Sequence, residues 1–184
     1  MKNLFAFFVV ILFVSGCSST QKTAGEGMVS VVAQNVVRIA GSQATKNLDV
    51  KEVNGQPVFV EVTGFADDFS KGYVLNLIRD KVEDEGGRLV SQSYAELIVE
   101  VAVNAAGNDL GASGYIVGGS SRSEGTVDLT VTVRNPKSGE RLARQQIVGY
   151  AKYQQGTFLG ITGSGAYFVL VDDNWEIVAD PTYY

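Results

Sequence analysis

Thr126-Val127-Asp128-Leu129-Thr130-Val131-Thr132-Val133-Arg134 alternates apolar and polar residues without a break, and Asn135-Pro136-Lys137-Ser138-Gly139-Glu140 follows it directly. Strict alternation with period two is the signature of a strand with one buried and one wet face. Residues 135–140 hold the Asn, Pro, Ser and Gly that tight turns require, so residues 141–153 are expected to return as the antiparallel partner. Upstream, residues 96–106 alternate in the same way, with Leu97, Val99, Val101 and Val103 on one side. Strands of this kind build a sheet that is apolar on one face, and that face needs a covering layer.

Two segments have the spacing to supply it. Residues 28–44 carry Met28, Val31, Val32, Val36 and Ile39, with Ala40 on the same side, which is helical spacing. Such a stripe either faces the core or packs on a neighbouring subunit. After the Asn54-Gly55 turn signal, Val58-Phe59-Val60-Glu61-Val62 reads as a strand. Asp67, Asp68 and Ser70 then offer cap oxygens for a second helix, predicted to end near Glu85 at Gly86-Gly87. Its apolar stripe is Tyr73, Val74, Leu77, Ile78 and Val82, and its opposite face holds Arg79, Asp80, Glu83 and Asp84.

Residues 88–91 form a short extended piece. Residues 107–125 are rich in Gly and Ser, with Tyr115-Ile116-Val117 in their middle, and read as a loop excursion. Residues 156–165 are a second Gly-rich stretch, followed by residues 166–171 and a polar, aromatic tail. The order of elements predicts an α+β domain: a mixed or antiparallel sheet covered on one face by two helices.

The start of the chain reads as an address. Lys2 precedes an unbroken apolar run of 11 residues, Leu4 to Val14, and Val14-Ser15-Gly16-Cys17 follows. Such a run is about 16 Å of helix, too short to span a bilayer but fitting a secretory signal. The motif resembles the bacterial lipobox, which implies diacylglyceryl transfer to the Cys17 thiol and cleavage before it. The expected organisation is residues 1–16 as signal, 17–27 as a lipidated tether, and 28–184 as one periplasmic domain. The residue after Cys17 is Ser18 rather than an inner-membrane retention aspartate, so the expected location is the outer membrane, with the domain facing the periplasm.

Composition narrows the chemistry. The chain has 15 Lys+Arg against 20 Asp+Glu, one cysteine and no histidine. Removing residues 1–16 takes away only Lys2, so the mature balance is 14 minus 20, or −6. An acidic domain without a basic cluster is a poor partner for nucleic acid. Triads and zinc sites that use imidazole are excluded, and an intrachain disulfide is impossible. No cofactor is implied.

The segment Ala95-Glu96-Leu97-Ile98-Val99-Glu100, the Gly-rich excursion, residues 127–134 and the turn at 135–140 resemble the periplasmic domain of the curli-secretion-channel lipoproteins. The strand at 58–62, with the helix and strand after it, resembles the conjugative surface-exclusion lipoproteins. The likeness covers residues 57–153, about half the chain. It implies an α/β envelope domain that works by assembly. Secretion-channel lipoproteins use long amphipathic hairpins to build a barrel, and the one apolar run in residues 107–125 is Tyr115-Ile116-Val117, so pore formation is not expected. The long apolar helical pair of the surface-exclusion proteins is also missing.

Candidate sites are few. Asp172-Asp173-Asn174 with Glu176 has hard-cation ligand types but not EF-hand spacing, and reads better as a polar turn. Asp67 and Asp68 read better as helix caps than as an acid–base pair. Gly118-Gly119-Ser120-Ser121 lacks the following helix that a phosphate loop needs, and reads as a mobile loop that meets a partner. Tyr115, Ile116, Val117, Phe158 and Leu159 are the expected partner contacts. Tyr167, Phe168, Trp175, Tyr183 and Tyr184 either finish the core or form an interface.

The expected role is structural or assembly work in the envelope by protein binding, through sheet-edge pairing or the Gly-rich loops, with ring formation as one form of it. The membrane is met through the lipid on Cys17, and the protein partner is an envelope protein or a second copy. The alternative is a monomeric accessory factor of a secretion complex or peptidoglycan synthase. A carboxylate hydrolase finds no well-spaced pair in the sequence.

Overall fold

The computed structural model describes residues 31–178, except 65, 67, 116, 117, 159 and 160. Cys17, the tether, Met28, Asp67, Ile116, Val117, Leu159, Tyr183 and Tyr184 therefore lie outside the described residues. In chain order the elements are α1 (Val31–Lys46), β1 (Pro57–Gly64), α2 (Asp68–Asp84), β2 (Arg88–Leu89) and β3 (Leu97–Tyr115). Then follow β4 (Gly118–Arg134), β5 (Arg141–Phe158), β6 (Ile161–Thr162), β7 (Ala166–Val171) and β8 (Asn174–Val178).

The strands form one mixed sheet in the order β2-β1-β3-β4-β5-β7-β8, with β6 on the end of β5. β1 runs parallel to β2 and β3, and every other pairing is antiparallel. Both helices cover one face, so the expected α+β architecture holds. The parallel pair exists because α2 carries the chain from β1 back to the start of β2, a crossover that a hairpin cannot make.

Alternation places Val58 and Val60 of β1, Leu97 to Val103 at odd positions of β3, and Val127, Leu129, Val131 and Val133 of β4 under the helices. Val74, Ile78 and Val82 of α2 and Val36, Ala40 and Ala44 of α1 close over them, all nearly or fully buried. Val31, expected in the α1 stripe, is 71% exposed. At about 100° per residue it lies on the side of α1 opposite Ala33, Val36, Ala40 and Ala44, which are buried. α2 ends as expected: Gly86 takes φ +84, its N–H bonds Glu83 O, and Gly87 N–H bonds Val82 O.

The excursion expected at 107–125 is not a loop. β3 and β4 pair continuously from Ile98↔Arg134 to Tyr115↔Gly118, and Gly118-Gly119-Ser120-Ser121 lies in β4. β3 is 19 residues long and β5 is 18, about 60 Å at 3.3 Å per residue, well beyond the usual strand. Gly and Ser weaken a strand in isolation. Here each is held by a partner on one or both sides, and tertiary pairing overrides propensity. The tail is also ordered: residues 174–178 are β8.

One bulge matters. Val103 pairs Leu129 but Ala105 pairs Asp128, so Asn104 is the extra residue. Odd residues of β3 face the helices before it and even residues after it. That is why Ala106, out of phase with Leu97, still packs on the core.

α1 lies unusually close to β4 and β5. A Cβ on Gly125 would stand 2.5 Å from Val36 C, and one on Gly149 would stand 1.9 Å from Ala40 O. The two glycines, with Ala40 and Ala44 on the helix, let backbone meet backbone. Polar bonds fix the helix along its length. Asn35 Nδ2 donates to Tyr167 OH (3.2 Å), Gln43 Nε2 to Leu170 O (2.7 Å), and Gln145 Nε2 to Asn47 O (2.9 Å).

Candidate partner-binding surface

The face of the sheet without helices is set by register alone. Glu61, Glu100, Thr132 and Arg144 form one row across β1, β3, β4 and β5. Thr63, Ala102, Thr130 and Gln146 form the next. Asp109, Glu124, Lys152, Phe168 and Ile177 form another, from β3 to β8.

The first two rows line an open depression of about 340 Å³, made by the small side chain of Ala102. Some polar groups in and around it bond one another. Arg134 Nε donates to Glu100 Oε1. Asn104 Nδ2 donates to Asp128 Oδ1 and Thr130 Oγ1, both at 3.0 Å, and Gln146 Nε2 also reaches Asp128 Oδ1 at 3.0 Å. A second depression, about 330 Å³, contains Asp109 and Glu124. Lys152 Nζ lies 3.6 Å and Arg122 Nε 3.8 Å from Glu124 Oε1. Among the described residues, no three His, Cys, Asp or Glu side chains gather as metal ligands do.

The other end of this face is apolar. Tyr150 of β5, Phe168 and Leu170 of β7, and Trp175 and Ile177 of β8 all project from it, with Leu170 paired to Trp175 and Phe168 to Ile177. Trp175 is 45% exposed and Ile177 72%. Lys152 Nζ stands 5.8 Å from the Trp175 ring centroid, within cation–π range. These aromatics were legible in the sequence but not their side. The parity of Phe168, Leu170, Trp175 and Ile177 is the signal, once a two-residue hairpin at Asp172-Asp173 is assumed. Tyr167, of opposite parity, goes to the helix face. It packs on Tyr153 at 4.8 Å between ring centroids.

Asp172 and Asp173 make that hairpin, with φ 46 and 66 and Val171 paired to Asn174. Two left-handed residues in a two-residue loop define a type I′ turn. The turn reading of Asp172-Asp173-Asn174 therefore holds.

Of the expected contacts, Tyr115 ends β3 and pairs with Gly118, which in turn pairs with Phe158 at the end of β5. The fold thus brings two Gly-rich segments, 40 residues apart in sequence, to one end of the sheet. Phe158 is 64% exposed there, and Ile161 opposite it 74%.

Among comparisons with known proteins, no family model matches the chain, and no curated protein matches it.

Proposed function

We propose that this chain is an outer-membrane lipoprotein, anchored through Cys17, whose domain acts by binding protein rather than by catalysis. The apolar band of exposed Tyr150, Trp175 and Ile177 with half-buried Phe168 and Leu170 carries the binding part of this reading. Aromatic and aliphatic side chains beside a sheet edge that no described strand covers are what strand-adding interfaces use. The polar half of the same face supports it from the other side. Three of its carboxylates are engaged: Glu100 by Arg134, Asp128 by Asn104 and Gln146, and Glu124 by Lys152. The anchor rests on the Val14-Ser15-Gly16-Cys17 motif.

The test pairs two measurements. Labelled palmitate should enter the wild-type chain and not Cys17→Ser, and only the wild type should fractionate with the outer membrane. A Cys17→Ser chain that stays in that fraction defeats the anchor. Trp175→Asp with Ile177→Asp should leave fractionation unchanged and abolish crosslinked complexes. Complexes that persist in that variant defeat the binding surface.

A further inference from the structure

We propose that two copies of this chain pair through β8, antiparallel about a two-fold axis at Glu176, so that one sheet runs through both. This deepens the binding reading above; the pairing geometry does not depend on the lipid anchor, and the sedimentation test separates it from the anchor reading.

The hydrogen-bond phase of β8 points to that axis. In a two-residue hairpin the closing pair, Val171 and Asn174, exchanges both backbone bonds. Bonding then alternates along the ladder. Asn174, Glu176 and Val178 turn their N–H and C=O groups toward β7. Trp175 and Ile177 turn theirs outward. β8 ends the strand order, so among the described residues no strand lies beyond it. A row of such groups is a template for another extended backbone.

A second copy fits the template when Glu176 lies on the axis. Trp175 then stands opposite Ile177 of the second copy, and Ile177 opposite its Trp175. Every outward N–H on one copy meets an outward C=O on the other. The side chains agree with the backbone. Trp175 and Ile177 project from the helix-free face, so each contact is an aromatic–β-branched cross-strand pair. The apolar row continues from Leu170 and Trp175 into Ile177 and Phe168 of the second copy, and the symmetric row does the same. Shifting the register by one residue turns the phase over and sets outward groups against inward ones.

Size sets the strength. Trp175 and Ile177 have about 200 Å² left to bury per copy, given about 150–250 Å² for a whole large side chain. With the five-residue strand edges, the total over both copies is about 700 Å², below the roughly 1,000 Å² of a specific interface that holds in dilute solution. The pair is therefore weak in dilute solution and is favoured by confinement to a membrane surface. One element opposes it. Glu176 faces its own copy across the axis on the helix-bearing side, and directly opposed like charges are destabilising.

That position also supplies the test. Opposed residues in a non-hydrogen-bonded antiparallel pair have Cβ atoms close enough for a disulfide. Glu176→Cys in the full chain, oxidised in membranes, should give a reducible dimer. Asn174→Cys and Val178→Cys, which oppose each other rather than themselves, should not. The wild type serves as control: with Cys17 lipidated it has no free thiol, so a wild-type dimer would signal failure of the anchor reading instead. Wild-type protein in detergent should show reversible dimers by sedimentation, and Glu176→Gln should tighten them several-fold. A strict monomer by sedimentation with no Glu176→Cys dimer overturns the pairing. Crosslinking at 174 or 178 in preference to 176 overturns the register.

Discussion

Gly149→Ala is the sharpest probe of how this domain is held together. The added methyl would stand 1.9 Å from Ala40 O, 2.7 Å from Ala44 N and 2.9 Å from Ala40 C. Ordinary contact needs roughly 3.4 Å or more, so α1 must withdraw by about 1.5 Å or the strand must buckle. Neither is cheap, because Val36, Ala40 and Ala44 on the same helix are fully buried. A retreating helix would loosen their packing along its length. Overpacking costs about 1–3 kcal/mol on its own, and the contact here is with rigid backbone, so about 3 kcal/mol is expected. For a domain of this size that lowers Tm by about 6–12 °C. The assay is urea unfolding of the wild type and the variant, with hydrogen exchange along α1. Gly107→Ala and Gly156→Ala are the controls. Both lie in the same long strands, yet an added Cβ meets nothing within 4 Å. They should be neutral or gain about 0.5 kcal/mol from a stiffer unfolded chain. A Gly149→Ala variant within about 0.5 kcal/mol of wild type, with α1 protection unchanged, would refute the close helix–sheet contact and the reasoning built on it.

Asp173→Gly should stabilise the domain by about 0.5–1 kcal/mol, since position 173 has φ 66 and a left-handed non-glycine residue is strained there; urea midpoints check it. Burial pushes the Tyr73 hydroxyl up to about 12 from its usual 10, while Tyr73 OH donates to Arg38 O at 2.9 Å, tying α2 to α1. Because the folded value is the higher one, the unfolded chain loses this proton first. Tyr73's share of stability is therefore full below pH 10 and is lost between about pH 10 and 12. Tyr73→Phe should cost about 1 kcal/mol at neutral pH and flatten that alkaline decline, measured as the difference in stability–pH slope between the two proteins.

Much of the fold was legible because its signals are local. The alternation at 126–134, the Asn-Pro-Lys-Ser-Gly-Glu turn, and the α2 stripe ending at Gly86-Gly87 each dictate their element through period or turn chemistry. The length of β3 and β4 was not legible. Gly and Ser at 107–125 have no intrinsic strand preference, and they extend because each strand of the ladder satisfies its neighbour. The candidate site divides in the same way. The sequence named Phe168 and Trp175 but not their shared face, and it passed over Tyr150, Leu170 and Ile177 as part of it.

The sequence by itself determined the class of fold and the absence of imidazole chemistry, because composition and short-range pattern suffice for each, and it alone carries the lipobox resemblance at Cys17. Tertiary structure alone decided which face the rest of β3 took beyond Asn104, since a single bulge inverts the parity of the strand after it. It also decided that Gly125 and Gly149, silent in the sequence, are where α1 seats on the sheet. And it put β8 last in the strand order among the described residues, because strand order depends on pairings between residues far apart in the chain.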